Sequence, residues 1–288
     1  ASSSKLTQVW VKYGQGLVLD NAIPVVDAFS AVYNFPCGLR LTNGAVLTTK
    51  DALINLNQVG AMQSDTSRLN LLNSVIKNNV TNAWARGSLA LVATQNWWGT
   101  PLQSEVASRL AGNVDSSAFL EYEPLLTPAA GVVGGLTKVS SQSLELRFAC
   151  RTAESMRASE NSAFVGEFFA PFAPGRIFQL SDGAGHKNIF VQYRSTTGET
   201  NAPILLQVDY VTSGPQIINF NLAEGQIISR PLLVTGLATA VLGIQSVEFY
   251  ADNVLVNSVS AGVYSRTWDI RTLSPGIHRV KLLARDKG

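Results

Sequence analysis

At 288 residues the chain is long enough for one large domain or two to three ordinary ones, and only 15% of it is charged against 46% hydrophobic. Soluble proteins carry about 25% charged residues, so this sparse charge, with plentiful Ser, Thr, Asn and Gly, is the profile of β-rich extracellular proteins. Net charge is +2, with Lys and Arg balancing Asp and Glu up to residue 213, which leaves no basic patch to bind nucleic acid.

The N-terminal Ala1-Ser2-Ser3-Ser4 has no charged-then-apolar signal pattern, and no run of 18 apolar residues is available to span a membrane. Cys37 and Cys150 fall in different predicted domains, so buried thiols are expected rather than a disulfide.

Residues 3 to 99 repeat. Gly16-Leu17, Gly38-Leu39, Gly60-Ala61 and Asn82-Ala83 recur every 22 residues. In the same phase run the columns Val9, Ala31, Leu53, Val75, Trp97 and Trp10, Val32, Ile54, Ile76, Trp98, with Val25, Leu47, Leu69 and Leu91 as a third. A fixed period of this size means a solenoid. Apolar residues held at one coil position stack when successive coils lie about 4.8 Å apart, the spacing of hydrogen-bonded strands. Asn21, Asn43-Gly44 and Asn78-Asn79 fall at corners, where Asn and Gly accept a left-handed backbone. Residue 1 lies inside the first coil, residues 1 to 23, and an uncapped solenoid end exposes strand edges, so further coils are expected before it.

The repeat ends in Asn96-Trp97-Trp98-Gly99, followed by a polar segment and Phe119-Leu120-Glu121-Tyr122-Glu123-Pro124-Leu125-Leu126. This ending resembles the last coils of a right-handed parallel β-helix of the pectin-lyase-like fold, as in large secreted bacterial proteins. The resemblance implies the fold over residues 1 to about 128. It implies no activity, because that fold carries lyases, hydrolases, adhesins and passive stalks alike. Between the two motifs, Ser104 followed by Glu105, Val106 and Leu110 predicts a short capped helix over the end of the stack. Phe119 to Leu126 is expected to return as a strand.

Thr127-Pro128-Ala129-Ala130-Gly131, with Gly134-Gly135 beyond, has linker composition and places a domain boundary near 130. From 131 to 213 the pattern becomes short alternating strands. Leu144, Leu146 and Phe148 face one way, Ile189, Val191 and Tyr193 alternate with Phe190, Gln192 and Arg194, and Ile204 to Val208 follows a turn at Gly198. Such strands predict a β-sandwich. The segments Met156-Arg157-Ala158-Ser159, Phe168-Phe169-Ala170-Pro171-Phe172, and Leu180-Ser181-Asp182-Gly183 leading to Val191-Gln192-Tyr193-Arg194 resemble a fibronectin-III-like or immunoglobulin-like module. The turn at Ala184-Gly185-His186 looks lengthened against that pattern.

Residues 214 to 288 predict a second sandwich. Val247 to Val256 reads as a hairpin with Asp252-Asn253 at its tip, a pair able to take positive φ. With Tyr264-Ser265-Arg266-Thr267-Trp268-Asp269 and Pro275-Gly276-Ile277-His278-Arg279-Val280 it resembles a bacterial immunoglobulin-like domain. In that family Ala284-Arg285-Asp286 precedes a turn and a last strand, so Val280 to Ala284 is expected to be a penultimate strand whose final neighbour is missing. The fold class is thus all-β: a right-handed parallel β-helix of 22-residue coils, residues 1–130, followed by two Ig-like β-sandwich domains, 131–213 and 214–288.

Catalysis on a β-helix needs carboxylates stacked on neighbouring coils, to hold calcium or to act as acid and base. The candidates Asp20, Asp27, Asp51 and Asp65 include no two separated by 22 or 44 residues, and the β-helix has no histidine. His186, in a predicted loop, and His278, in a predicted strand, join no metal-ligand pattern. Ser181-Asp182-Gly183 and Gly14-Gln15-Gly16 lack the strand-to-helix setting of a phosphate loop and read as turns. Trp97 and Trp98 follow the apolar columns, so at least one should seal the core instead of stacking on sugar, and Trp10 is the better exposed ring. Phe168, Phe169 and Phe172 with Pro171 read as core and edge packing. No catalytic residue, cofactor site or metal site is assigned. The reading is a non-catalytic stalk or spacer of a secreted or cell-surface bacterial protein, whose partners are its own flanking domains, with a glycan or other cell-surface ligand as a further partner. The alternatives are an accessory part of a carbohydrate-active β-helix enzyme or glycan binder, and the shell or delivery region of a large polymorphic toxin.

Overall fold

The structure, a computed structural model, describes residues 5–64 and 66–287. It is all-β, a parallel β-solenoid of about five turns followed by Ig-like β domains. Three parallel sheets run along the solenoid. One contains Leu17–Asp20, Cys37–Thr42, Val59–Gln63, Thr81–Ala85 and Leu110–Gly112. The second contains Trp10–Lys12, Ser30–Val32, Leu53–Asn55 and Val75–Lys77, and the third Val46–Lys50, Arg68–Leu72, Leu91–Val92 and Val114–Asp115.

In the first sheet the 22-residue register holds, with Leu17 beside Leu39, Leu39 beside Ala61 and Ala61 beside Ala83. Gly16, Gly38 and Gly60 therefore stand one above the next. A Cβ on Gly38 would lie 2.8 Å from the Gly60 carbonyl and 2.8 Å from Asn57 Nδ2, and one on Gly60 would lie 2.4 Å from the Asn82 carbonyl and 2.8 Å from Asn79 Nδ2. What fills that space is a buried asparagine ladder. Asn57 Oδ1 accepts from the backbone N–H of Asn34 at 2.8 Å, Asn79 Oδ1 accepts from that of Asn57 at 2.9 Å, and the Nδ2 groups of Asn57 and Asn79 donate to the carbonyls of Ala31 and Ile54.

The second sheet departs from the expected columns in its early coils. Leu53 stands beside Val75 and Val75 beside Trp97, as the period requires, but Ser30 faces Leu53 and Trp10 faces Ser30. The residues by which these coils differ are taken up between the strands, since the first sheet keeps its 22-residue register. In the third column Val25 is 42% exposed, and the buried residue is Val26, one position on.

Adjacent columns of the second sheet face opposite ways, as alternation along a strand demands. Ala31, Ile54, Ile76 and Trp98 point inward and join the solenoid core. Leu53, Val75 and Trp97 point outward and are covered by Leu120 and Leu126. The segment expected as a strand from Phe119 to Leu126 is extended but unladdered: its links include Leu120 N–H to the Asn96 carbonyl at 2.9 Å and Leu126 N–H to Thr152 Oγ1 at 2.8 Å. Covering side chains requires no continuous ladder. Nor does the solenoid stop at Gly99, because Leu110–Gly112 and Val114–Asp115 stack on the previous coil. The expected helix is present as Gln103–Ser108 and inserts Val106 into the end of the core. Ser104 lies inside it. Leu102 occupies the N-cap and makes no side-chain cap.

Past the solenoid, the strand Ser143–Ala149 alternates buried and exposed as expected, and Ile189, Val191 and Tyr193 are buried in Gly185–Ser195. Ala153–Ser159 pairs antiparallel with that strand, from Ala153 opposite Ser195 to Ser159 opposite Phe190. The last domain has two three-stranded sheets, Gln216–Phe220 with Leu232–Thr239 and Val263–Trp268, and Val254–Val259 with Ile244–Ala251 and Val280–Asp286. Phe249 is fully buried between them, with the Trp268 ring edge-on at 5.1 Å and Tyr264 at 6.0 Å. Asp252 and Asn253 have φ of 47° and 67°, the pair of left-handed residues that a tight hairpin needs. Among the described residues Val280–Asp286 pairs with Ile244–Ala251 alone, as an edge.

The chain forms two compact units. One comprises residues 1–131, 146–176 and 189–206, the other 132–145, 177–188 and 207–288.

Candidate functional site

A polar constellation lies within the first unit, where the segment that closes the solenoid meets residues 146–176 and 189–206. Glu123 is 1% exposed. Lys77, at the end of a solenoid strand, donates to its Oε1, and Thr196 donates to its Oε2. The backbone N–H of Glu123 donates to Thr197 Oγ1 at 2.9 Å. A buried carboxylate is tolerated only with such complete pairing.

Arg151, in the turn between Ser143–Ala149 and Ala153–Ser159, reaches the side of the solenoid. Its Nη1 donates to the Phe29 carbonyl at 2.8 Å and Ser30 Oγ at 3.2 Å, and its Nη2 to the Asp51 carbonyl. Burial pulls its guanidinium below the ordinary arginine value, and the nearby Asp51 charge works against that. Next to it, Thr152 Oγ1 accepts from Leu126 N–H and donates to the Pro124 carbonyl at 2.6 Å. Tyr193 donates its hydroxyl to the Ala129 carbonyl at 2.6 Å. Chemically this cluster is a fastening. Glu123 is paired with Lys77, whereas the Arg151 guanidinium is held by carbonyls and a hydroxyl and keeps a buried Nε without a partner.

Of the carboxylates singled out in the sequence, Asp27 and Asp51 come to the same corner of successive coils, where the Ala28 N–H donates to the Lys50 carbonyl, and Asp20 stands at another. Asp20 accepts from Thr42 Oγ1 at 3.2 Å and Asn43 Nδ2 at 2.5 Å, Asp51 accepts from Asn73 Nδ2 at 2.6 Å, and Asp27 ends the strand Val25–Asp27. Asp65 lies outside the described residues. Among the described residues no three His, Cys, Asp or Glu side chains converge as metal ligands, and no helix is long and apolar enough to cross a membrane.

Trp98 and Trp97 are both buried, and Trp10 is 55% exposed with Lys12 Nζ 4.7 Å from its ring centroid. Phe168 is 87% exposed, so the aromatic cluster is not all core. Phe169 instead lies between two guanidinium groups, Arg157 at 4.5 Å and Arg194 at 4.4 Å, while Phe172 tilts against Tyr193. Such contacts hold arginine over an aromatic face and explain why Phe169 sits at a half-buried position.

The histidines exchange the placements expected of them. His186 is in the strand Gly185–Ser195, and the turn before it is the bend 182–184. His278 is in the loop before Val280–Asp286. Both cysteines are free and buried, as expected. Burial pushes the Cys37 thiol up to about 12 and raises Cys150 as well.

One surface escaped the sequence reading. Tyr13, Tyr33, Leu56 and Asn78 occupy successive positions of one corner, all with φ between 54° and 57°. Asn is at ease there, whereas a bulky residue at positive φ is an outlier. The Tyr13 and Tyr33 rings stack at 5.4 Å with 7° between planes, and Phe35 beside them is 69% exposed. A shallow groove runs between Tyr33, Phe35, Leu56 and Val80, edged by Gln58 and Asn78. Residue types do not reveal it, because Asn and Gly signal a left-handed backbone whereas Tyr and Leu do not.

Residues 215–282 match the family model of a bacterial Ig domain. Among solved structures the chain is similar to the fibronectin(III)-like modules of CbhA from Clostridium thermocellum, with 13% identity and a TM-score of 0.35 over 55% of this chain and 86% of that one. Comparison with curated proteins finds no match.

Proposed function

We propose that this chain is a non-catalytic structural segment of a large secreted or cell-surface bacterial protein, acting as a rigid spacer between flanking domains. In this reading residues 1–130 are the end of a pectin-lyase-like β-helix, 131–213 a fibronectin-III-like module and 214–288 an Ig-like module completed by a strand from elsewhere in the parent protein. The observation that carries it is the fastening around Arg151 and Glu123. A spacer must resist bending at its joints, and buried charges hydrogen-bonded across a joint leave no low-energy way to flex it. The Ig-domain match over residues 215–282 fits such a structural role.

Backbone 15N relaxation tests the reading. Amides of the solenoid and of residues 146–176 should report one rotational correlation time in the native protein and two after Arg151→Ala combined with Lys77→Met. Independent tumbling in the unsubstituted protein defeats the spacer reading. Incubation with pectin, alginate or a glycosaminoglycan should give no turnover. Turnover abolished by Asp27→Asn or Asp51→Asn would make the β-helix an enzyme.

The exposed corner favours a second reading, contact with a glycan. Its lining of Tyr33, Phe35, Leu56, Gln58, Asn78 and Val80 holds no charged group and mixes apolar faces with amides, which suits a neutral sugar chain. Titration calorimetry with cello-, xylo-, manno- and chitohexaose should then show heat that Tyr33→Ala removes. Absence of heat with all four ends this second reading.

A further inference from the structure

We propose that His278 is a proton-set clip: only as the imidazolium does it bond Asp252 and the Ser274 carbonyl at once and so close the 274–279 loop of the last domain on itself. Its Nδ1 lies 2.6 Å from Asp252 Oδ2 and its Nε2 lies 2.7 Å from the Ser274 carbonyl oxygen. Both partners are acceptors that carry no proton. A neutral imidazole has one N–H and one lone pair, so it can satisfy only one of them and must turn its lone pair on the other. The doubly protonated ring donates to both.

Asp252 is the charged side chain that faces the ring, from the turn between Ile244–Ala251 and Val254–Val259. The charged residue next to His278 in its own loop, Arg279, meets the same carboxylate through its backbone N–H, 2.9 Å from Oδ1, and its carbonyl accepts from Asp252 N–H at 2.8 Å. Asp252 is therefore held in place whichever state the imidazole takes. The contact that depends on the proton is the one closing the loop on itself, from His278 to Ser274. That loop carries Ile277, fully exposed at its tip.

His186 shows the opposite arrangement in the same unit. Its Nδ1 lies 2.9 Å from Asp209 Oδ1, but its Nε2 faces the side-chain amide nitrogen of Gln207 at 3.1 Å, and that amide also donates to Asn188 Oδ1. His186 thus faces one acceptor and one amide nitrogen, and lacks the pair of acceptors that His278 meets.

The Asp252 hydrogen bond, with the Ser274 carbonyl second, holds His278 above the ordinary imidazole value, while the His278 hydrogen bond, with the Arg279 N–H second, holds Asp252 below the ordinary carboxylate value. The sign follows. A group whose folded pKa is raised stabilises fully below its unfolded value, about 6.5 for histidine, and that contribution is lost as pH rises through the folded pKa. The loop is thus fully closed below about pH 6.5 and loosens as pH rises through the raised His278 pKa.

Long-range 1H–15N spectra of the imidazoles across pH 5 to 9 test this, with His186 as the internal control. His278 should titrate above the ordinary imidazole value of about 6.5. Asp252→Asn should lower the His278 pKa. Backbone order parameters at Gly276 and Ile277 should fall as pH passes the His278 pKa, and in His278→Phe they should be low at every pH. A native Trp268 near-ultraviolet signal confirms that each variant is folded. A His278 pKa at or below about 6.5, or loop order parameters that do not change with pH, would each overturn the clip.

Discussion

At the scale of single residues, the glycine column and the asparagine ladder are one device seen from two sides. Gly38 and Gly60 lack a Cβ because Asn57 and Asn79 occupy that space, and the asparagines in turn pair backbone groups that the corner would leave buried and alone. Gly60→Ala drives a methyl against the Asn82 carbonyl. Asn57→Ala strands the backbone N–H of Asn34 and the Ala31 carbonyl, at about 1–3 kcal/mol for each group left unpaired. Both variants should lower the urea midpoint of the solenoid, and an unchanged midpoint for Asn57→Ala would mean that water replaces the ladder. The glycines were legible in the sequence because they keep a strict period. The ladder was not, since its spacing changes from 23 to 22 residues and it then passes to Asn82, only three residues on. Asn78-Asn79 shows the limit plainly: both read as turn residues, yet only Asn78 takes positive φ while Asn79 is buried in the ladder. Cys37 gives a pH prediction. With its folded value about 12 and a free thiol near 8.5, its stabilising share is complete below the free value and declines as pH rises toward 12. The native protein should resist a thiol reagent at pH 8 and react once unfolded in urea. Prompt labelling of Cys37 in the native state would contradict its burial.

At the scale of elements, a period identifies strands but not the face each column presents. Both columns ending in Trp97 and Trp98 are apolar, so the sequence could not say that one lies inside the solenoid and the other outside beneath Leu120 and Leu126. The closing segment was misread as a strand for the same reason: its apolar residues are placed to cover neighbours, and its backbone finds single partners instead of a ladder. Helix 103–108 was legible from Val106 and Leu110, but its N-cap was not, because Leu102 makes no side-chain signal. Leu126 is fully buried over Val75 and Trp97. Leu126→Ala should therefore cost about 2–5 kcal/mol, the range for emptying a buried aliphatic site, read from denaturation followed by tryptophan fluorescence. A cost under about 0.5 kcal/mol would show the segment to be loosely laid.

At the scale of the whole molecule, the all-β class and the order of solenoid before Ig-like domains were legible, because period and alternation are properties of long stretches and survive local surprises. The fastening was not legible, since Lys77, Glu123 and Thr196 are far apart in the chain and none belongs to a motif. Lys77→Met leaves Glu123 buried without its cation. Breaking such a pair costs about 3–5 kcal/mol, so the variant should melt clearly below the unsubstituted protein, and Glu123→Gln added to it should restore part of the loss. The outward column under the closing segment also has a consequence in time. Solenoid coils meet neighbours about 22 residues away and can form as the chain emerges from the ribosome, whereas Trp97 waits for Leu126, twenty-nine residues later. At about 5–20 residues per second, Trp97 is bare on the nascent chain for roughly 1–6 s, and Leu53 and Val75, made earlier, for longer. Throughout that interval its apolar flank is open to any chaperone, or any second nascent chain, within reach.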